Sequence, residues 1–155
     1  MRFDGHNTRR RQSGAVLAEM ALVTPILVFM MLATAEVSRA FIDHNTLTKA
    51  VRNGARHVSS FAFQGTTGTV NIGPVLRAEV QNLVVYGNLA GGGTPVLPGL
   101  TTANVTVTDI GANNIEVTAT HNISGLLGPV LRSFVGGSDI NMVFTLEATV
   151  TMRAL

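Results

Sequence analysis

The sequence lacks several residue types and motifs on which catalysis and cross-linking depend. It has no cysteine and no tryptophan, and only 13% of its 155 residues are charged. The absence of cysteine excludes disulfides, thiolate zinc sites and a cysteine nucleophile. The four histidines form no HxxxH or HExxH pair, and Gly91-Gly92-Gly93 lacks the Lys and Ser/Thr of a phosphate loop. The sequence therefore predicts no enzyme, no cofactor and no metal site.

One pair of neighbours, Asp43 and His44, invites comparison with an acid–base pair. Consecutive residues of a helix point to different sides, so the two groups are poorly placed to act together. His44 falls on the apolar face of the predicted helix. We therefore expect it to be a partly buried structural histidine.

The surplus of basic residues is confined to the N-terminus. Residues 1–14 contain four arginines and one aspartate, whereas residues 15–155 have one more carboxylate than cations. The isoelectric point near 9.9 therefore comes from the first 14 residues. It gives no argument for binding nucleic acid.

A long apolar run follows this basic segment. Residues 15–35 contain a single charge, Glu19, and as a helix these 21 residues would span about 31 Å. The hydrocarbon core of a bilayer is about 30 Å thick, so the run predicts a membrane-spanning helix. Pro25 lies inside it, where a membrane helix tolerates the lost hydrogen bond with a kink. A carboxylate inside such a segment is costly and points to function.

The helical pattern continues beyond the apolar run. Apolar residues recur at steps of three and four from Val37 to Val58, with no Pro or Gly separating them from the span. The sequence predicts one helix from about Ala15 to about Val58. Its second half would be amphipathic and would cover a sheet with Val37, Phe41, Leu47 and Val51.

The remaining residues predict an α+β head, residues 36–155, that includes the amphipathic half of the helix. A second short helix begins at Gly73-Pro74, and residues 125–134 suggest another that is broken at Pro129. Residues 104–109 and 115–120 alternate with period two around a turn, and residues 142–152 alternate again. We expect about three antiparallel strands whose solvent face is rich in threonine.

Three interpretations of the N-terminus remain open from the residues alone. Arg9, Arg10 and Arg11 would hold the N-terminus of an uncleaved signal anchor in the cytoplasm. Alternatively, Ala33-Thr34-Ala35 fits the small-residue site of a secretory signal and would release residues 36–155. In the third interpretation, residues 1–14 form a basic leader that ends in Gly14 and is cleaved on the cytoplasmic side.

The third interpretation comes with a resemblance. Ser13-Gly14 followed by Ala15-Val16-Leu17-Ala18-Glu19 resembles a prepilin processing site, with glutamate at the fifth position after the cut. The run from Gly14 to Leu27, with Pro25 inside it, is similar to the TadE-like family of small pseudopilins of the tight-adherence (Flp, type IVb) pilus. Further similarities to that family are Glu36 and Arg39 after the span, Gly54-Ala55-Arg56, and Met152-Arg153 near the C-terminus.

The resemblance implies a structural role for the chain. It would be a minor pilin or pseudopilin of a bacterial pilus, anchored in the inner membrane with its head in the periplasm. Its partners would be a prepilin peptidase acting between Gly14 and Ala15, other pilins, the inner-membrane assembly platform and the lipid bilayer. Glu19 would set the register between subunits, while the simpler alternative is a carboxylate that reaches the cytoplasmic interface unpaired. The alternative function is an exported binding or adhesion domain released after Ala35; a membrane-anchored periplasmic enzyme is the third, and no catalytic motif supports it.

Overall fold

The computed structural model describes residues 8–63, 69–125, 128–131 and 136–155. Two α-helices are present there, α1 (Thr8–Phe61) and α2 (Pro74–Tyr86), together with a short 3₁₀ helix at Thr102–Asn104. The strands are β1 (Val105–Gly111), β2 (Asn114–Ser124), β3 (Val130–Leu131), β4 (Ile140–Asn141) and β5 (Val143–Arg153). This confirms the predicted α+β class and the long N-terminal helix.

Helix α1 is longer at both ends than the sequence predicted. It begins at Thr8 rather than near Ala15, because the arginines and glutamine that precede Gly14 are good helix formers. It continues to Phe61, three residues beyond the predicted end. The chain divides between Ser38 and Arg39 into two compact units, an N-terminal unit and a head of residues 39–155.

The core of the head begins later along α1 than predicted. Leu47, Val51 and Val58 are fully buried, as their helical spacing predicts. Val37 and Phe41 are not part of this core, since 70% and 67% of their surfaces are exposed. The prediction that they cover the sheet was wrong. A helical period predicts which face is apolar but does not fix where along the helix the sheet ends.

Helix α2 begins and ends as its sequence dictates. Gly73 occupies the N-cap position, and Pro74 occupies the first turn, where its missing N–H costs nothing. Gly87 terminates the helix in the left-handed conformation, with φ of 71°, and its N–H bonds to the carbonyl of Leu83. The buried side of α2 consists of Leu76, Val80, Val84 and Val85.

The main sheet has three antiparallel strands, as predicted, and their order is β1-β2-β5. The β1–β2 turn has positive φ at Ala112 (51°) and Asn113 (63°), a backbone whose twist suits a two-residue hairpin. Along β2, residues 115, 117, 119, 121 and 123 are buried, and the intervening residues on the other side are half-buried or exposed. The chain end is held in place because the N–H of Leu155 donates to the carbonyl of Ser59 at 2.9 Å.

The helix predicted over residues 125–134 does not form in the part that the structure describes. Gly125 and Gly128 form an isolated bridge, and β3 pairs with β4 in a small antiparallel ladder. Gly128 has a φ of 101°, and Pro129 has no N–H for a helical bond, so the backbone leaves the helical region here. Residues 126–127 and 132–134 of the prediction lie outside the described residues.

Candidate functional site

Gly14 and Ala15 lie inside α1 with exposed surfaces. A side chain added at Gly14 would meet no atom within 4 Å, and the φ of Gly14 lies outside the left-handed region. Neither packing nor backbone conformation in the folded chain therefore requires glycine at this position. A requirement for glycine would have to come from another molecule that binds this segment.

Glu19 lies one helical turn after Ala15 and is exposed. Residues four apart on a helix are neighbours, so an amine created at Ala15 would lie close to the Glu19 carboxylate. Because α1 begins at Thr8, Glu19 is not in its first turn, and the helix dipole would favour this carboxylate only if a cut after Gly14 made Ala15 the first residue. The geometry thus brings Gly14, Ala15 and Glu19 together at one end of the apolar segment, as their sequence spacing predicts.

The apolar segment after Glu19 is exposed in the part of the chain that the structure describes. Residues 14–31 are all exposed, including Leu17 (70%), Leu22 (74%) and Phe29 (61%). Among the described residues, α1 is the one helix long and apolar enough to cross a membrane. Exposed apolar surface of this extent requires lipid or other apolar helices to cover it.

The predicted leader is described only in part. Arg9, Arg10 and Arg11 lie within the first turns of α1, and residues 1–7 fall outside the described residues. Pro25 is contained within α1, which continues on both sides of it. Near the end of the apolar segment, the Thr34 hydroxyl donates to the carbonyl of Met30 at 2.9 Å. The helix therefore satisfies this polar group by itself.

Helices α1 and α2 approach each other closely at Gly54. A Cβ atom at this glycine would lie 2.6 Å from Cγ2 of Val84 and 3.2 Å from Cγ1 of Val80. One turn later, His57 Nε2 lies 3.1 Å from Glu79 Oε2 and links the two helices by a polar contact. These distances give a packing reason for the Gly54-Ala55 pair, which the sequence analysis had noted only as part of the family pattern.

His121 is a buried histidine whose position the sequence analysis did not single out. It belongs to the buried side of β2 and is 5% exposed. Burial lowers the pKa of His121 below its ordinary value, and the Asp43 carboxylate on α1 opposes this by raising it. The alternation of apolar residues along β2 predicts that His121 is buried, because it follows Val117 and Ala119 at steps of two.

His44 and Asp43 do not form an acid–base pair. His44 is exposed, so the prediction that it is partly buried was wrong. Asp43 lies instead 3.9 Å from Nε of Arg39, one turn earlier on the same helix. Among the described residues, no group of three or more His, Asp or Glu could hold a metal ion.

Comparison with known proteins supports the resemblance over the first part of the chain. The model of the TadE-like protein family matches residues 14–56, which include Gly14, Glu19, Pro25 and Gly54. No curated protein and no solved structure matches the chain. The matched residues all lie in α1, so the likeness to TadE-like proteins is shown for this helix and not for α2 or the strands. The absence of an enzymatic activity stays a prediction.

Proposed function

We propose that this protein is a minor pilin or pseudopilin of a bacterial tight-adherence pilus. It is inserted in the inner membrane with its N-terminus in the cytoplasm and its head in the periplasm. A prepilin peptidase removes residues 1–14, and the mature chain acts in pilus assembly or initiation by packing against other pilins and the assembly platform.

The observation that carries this proposal is a glycine at position 14 that the packing of the folded chain does not require. The folded chain has no use for a glycine there, yet Gly14 begins the segment that matches the TadE-like family. It is followed by an exposed apolar helix with Glu19 one turn in. A peptidase pocket that admits only a residue without a side chain would account for this glycine.

A second candidate is a soluble head released by signal peptidase after Ala35. One observation favours it, since every buried apolar residue of the core lies at Leu47 or later, so this cut would leave the core intact. Helix continuity does not separate the two candidates, because both cuts would fall inside α1. Against the second candidate, the family match runs across this site without interruption.

The N-terminal residue of the mature protein decides between these functions. We expect Ala15 when the protein is purified from membranes of a cell that has the pilus system. An N-terminus at Glu36 would support the released head, and one at Met1 would support an uncleaved anchor. Either result would contradict the proposal.

A further inference from the structure

The exposed side of α1 in the head carries an uninterrupted row of cations. Lys49, Arg52 and Arg56 follow one another at steps of three and four, and all three are exposed. We call these three residues the basic ridge. Within the described part of the chain, none of them pairs with a carboxylate. They lie opposite the buried side of α1 that contains Leu47 and Val51.

The solvent side of the main sheet carries the opposite charge. Cross-strand pairs place Glu116 opposite Thr151 and Glu147 opposite Thr120 on this side. The carboxylates of Glu116 and Glu147 have no ion-pair partner among the described residues. We call the surface the threonine face; it consists of Glu116, Thr118, Thr120, Glu147, Thr149 and Thr151.

The threonine face is smooth enough for a helix to approach. The hydroxyls of Thr118 and Thr149 hydrogen-bond to each other at 3.0 Å across the strands. Between the two carboxylates there are only threonine side chains, which are short. Arg153 is the one cation on this side of the described β2 and β5, and it pairs with Asn114, just beyond the pair of Glu116 and Thr151. The surface therefore offers two anionic positions at the ends of a low polar strip.

The spacing and direction of the charges match the basic ridge. The Cα atoms of Lys49 and Arg56 are about 10.5 Å apart along a helix. Glu147 and Glu116 lie on adjacent strands, four residues apart along the strand direction, so their Cα atoms are about 14 Å apart. Long lysine and arginine side chains can bridge the difference between this spacing and that of the basic ridge.

The relative chain directions of α1 and β5 determine which charges would meet. The Asp43 carboxylate on α1 raises the pKa of His121, and His121 pairs with Leu146 near the start of β5. Later along α1, the carbonyl of Ser59 accepts a hydrogen bond from the N–H of Leu155, which follows the end of β5. Hence β5 runs in the same direction as α1. A second α1 laid parallel to β5 puts Lys49 near Glu147 and Arg56 near Glu116. Chains with the same membrane topology present α1 to one another in this parallel direction.

We infer that the threonine face of one copy binds the basic ridge of a second copy, so that α1 lies between two sheets. The contact joins two different surfaces and therefore extends to further copies in one direction. The inference rests on the proposed function only in that the chain acts by association. It does not depend on cleavage after Gly14.

Cysteine cross-linking in the full-length protein tests this contact, because the chain has no cysteine of its own. One tagged copy carries Asn53→Cys beside the ridge, and a second, differently tagged copy carries Thr149→Cys on the threonine face. Oxidation of the membranes should link the two tags, since disulfides need Cα atoms within about 7 Å. Thr94→Cys, exposed in the loop before β1, replaces Thr149→Cys in the control and should give no link.

Charge reversal then separates this pairing from any other contact. Lys49→Glu with Arg56→Glu in the first copy should lower the linked fraction about tenfold, because two attractions become repulsions. Glu116→Lys with Glu147→Lys in the second copy should do the same, and combining both reversals should restore the link. Loss without restoration would assign the ridge to another acidic partner and overturn the inference. The inference would also be overturned by a linked fraction no larger than that of the Thr94→Cys control. A dominant link between two copies that both carry Asn53→Cys would overturn it as well. The mature N-terminus of the same samples reports on the proposed function separately.

Discussion

At the scale of single residues, the glycine in the head and the glycine at the proposed cleavage site have different structural surroundings. Gly54 is required by its neighbours, whereas Gly14 has open space around it. The sequence predicted Gly14 as the residue before a peptidase cut, whereas Gly54 was noted only as part of a family similarity and had no physical reason. The distinction needed coordinates, because only the distance to Val84 shows that a side chain at position 54 has no room.

We predict that Gly14→Val blocks maturation. A pocket shaped for a residue without a side chain cannot admit branched atoms, while the apolar span that drives membrane insertion is unchanged. Gel electrophoresis of the membrane fraction should show the unprocessed size. Ala18→Val is the matched control, since it adds the same side chain within the exposed apolar segment and should be processed normally. Normal processing of Gly14→Val would rule out prepilin cleavage.

The second residue-scale prediction concerns Glu19→Gln. Insertion and cleavage should stay near normal, but piliation or co-purification of pilus partners should fall. A carboxylate bonds to a positive amine roughly twice as strongly as a neutral amide does. Ala18→Gln controls for the amide, because it introduces the same group but keeps the carboxylate. If cleaved Glu19→Gln supports wild-type piliation, the unpaired carboxylate at the membrane interface becomes the better interpretation.

The third concerns His121, whose pKa is lowered in the folded head by burial. In the unfolded chain this group has its ordinary pKa near 6.5. As pH falls below that value, the unfolded state takes up the proton first, so the free energy of unfolding should decrease. The decrease should end once the pH passes the lower pKa of the folded state.

Denaturant unfolding of the head between pH 7.5 and about pH 5 measures this effect. We expect His121→Leu to lose part of the pH dependence in that window. Asp43→Asn should steepen it in the chain that keeps His121, because the carboxylate that raises the pKa is then gone. An unchanged slope in His121→Leu would show that other groups cause the pH dependence.

At the scale of elements, α1 and the β1–β2 hairpin could be predicted from periodicity alone. Their signals are local: steps of three and four for the helix, alternation and a turn for the hairpin. The segment from Gly125 could not be predicted, since its apolar residues fit a helix while Gly128 and Pro129 favour an extended path. The limit of the core near Leu47 depends on where the sheet ends, which is a tertiary property.

The crossing of α1 and α2 gives a prediction at this scale. Gly54→Val should destabilise the head by about 1–3 kcal/mol, because its Cβ would lie 2.6 Å from the stiff side chain of Val84. Asn53→Val is the matched control, since it adds the same β-branched residue at the adjacent exposed position. Thermal unfolding of both variants measures the difference. Equal melting temperatures would show that α2 shifts to accommodate the new side chain.

At the scale of the whole molecule, the chain consists of a segment that needs a partner and a head that has its own core. The described residues before Arg39 contribute no buried apolar side chain, whereas the head buries residues from α1, α2 and three strands. The apolar span could be recognised from composition, and so could the candidate site at Gly14 and Glu19. The threonine-rich solvent face was also predicted, but the positions of Glu116 and Glu147 on it were not, because they depend on the register of β2 with β5.

The head should therefore fold without the membrane segment. Residues 36–155 expressed alone should give a soluble protein with the circular dichroism of mixed helix and sheet and a cooperative thermal transition. A chain that starts at residue 53 is the matched control. It keeps α2 and the strands but lacks Leu47, Ala50 and Val51, whose apolar surfaces cover the sheet. The free energy lost with three buried side chains exceeds the few kcal/mol by which a small domain is stable, so this shorter chain should not fold. An unordered spectrum for residues 36–155 would mean that the core also depends on the apolar half of α1.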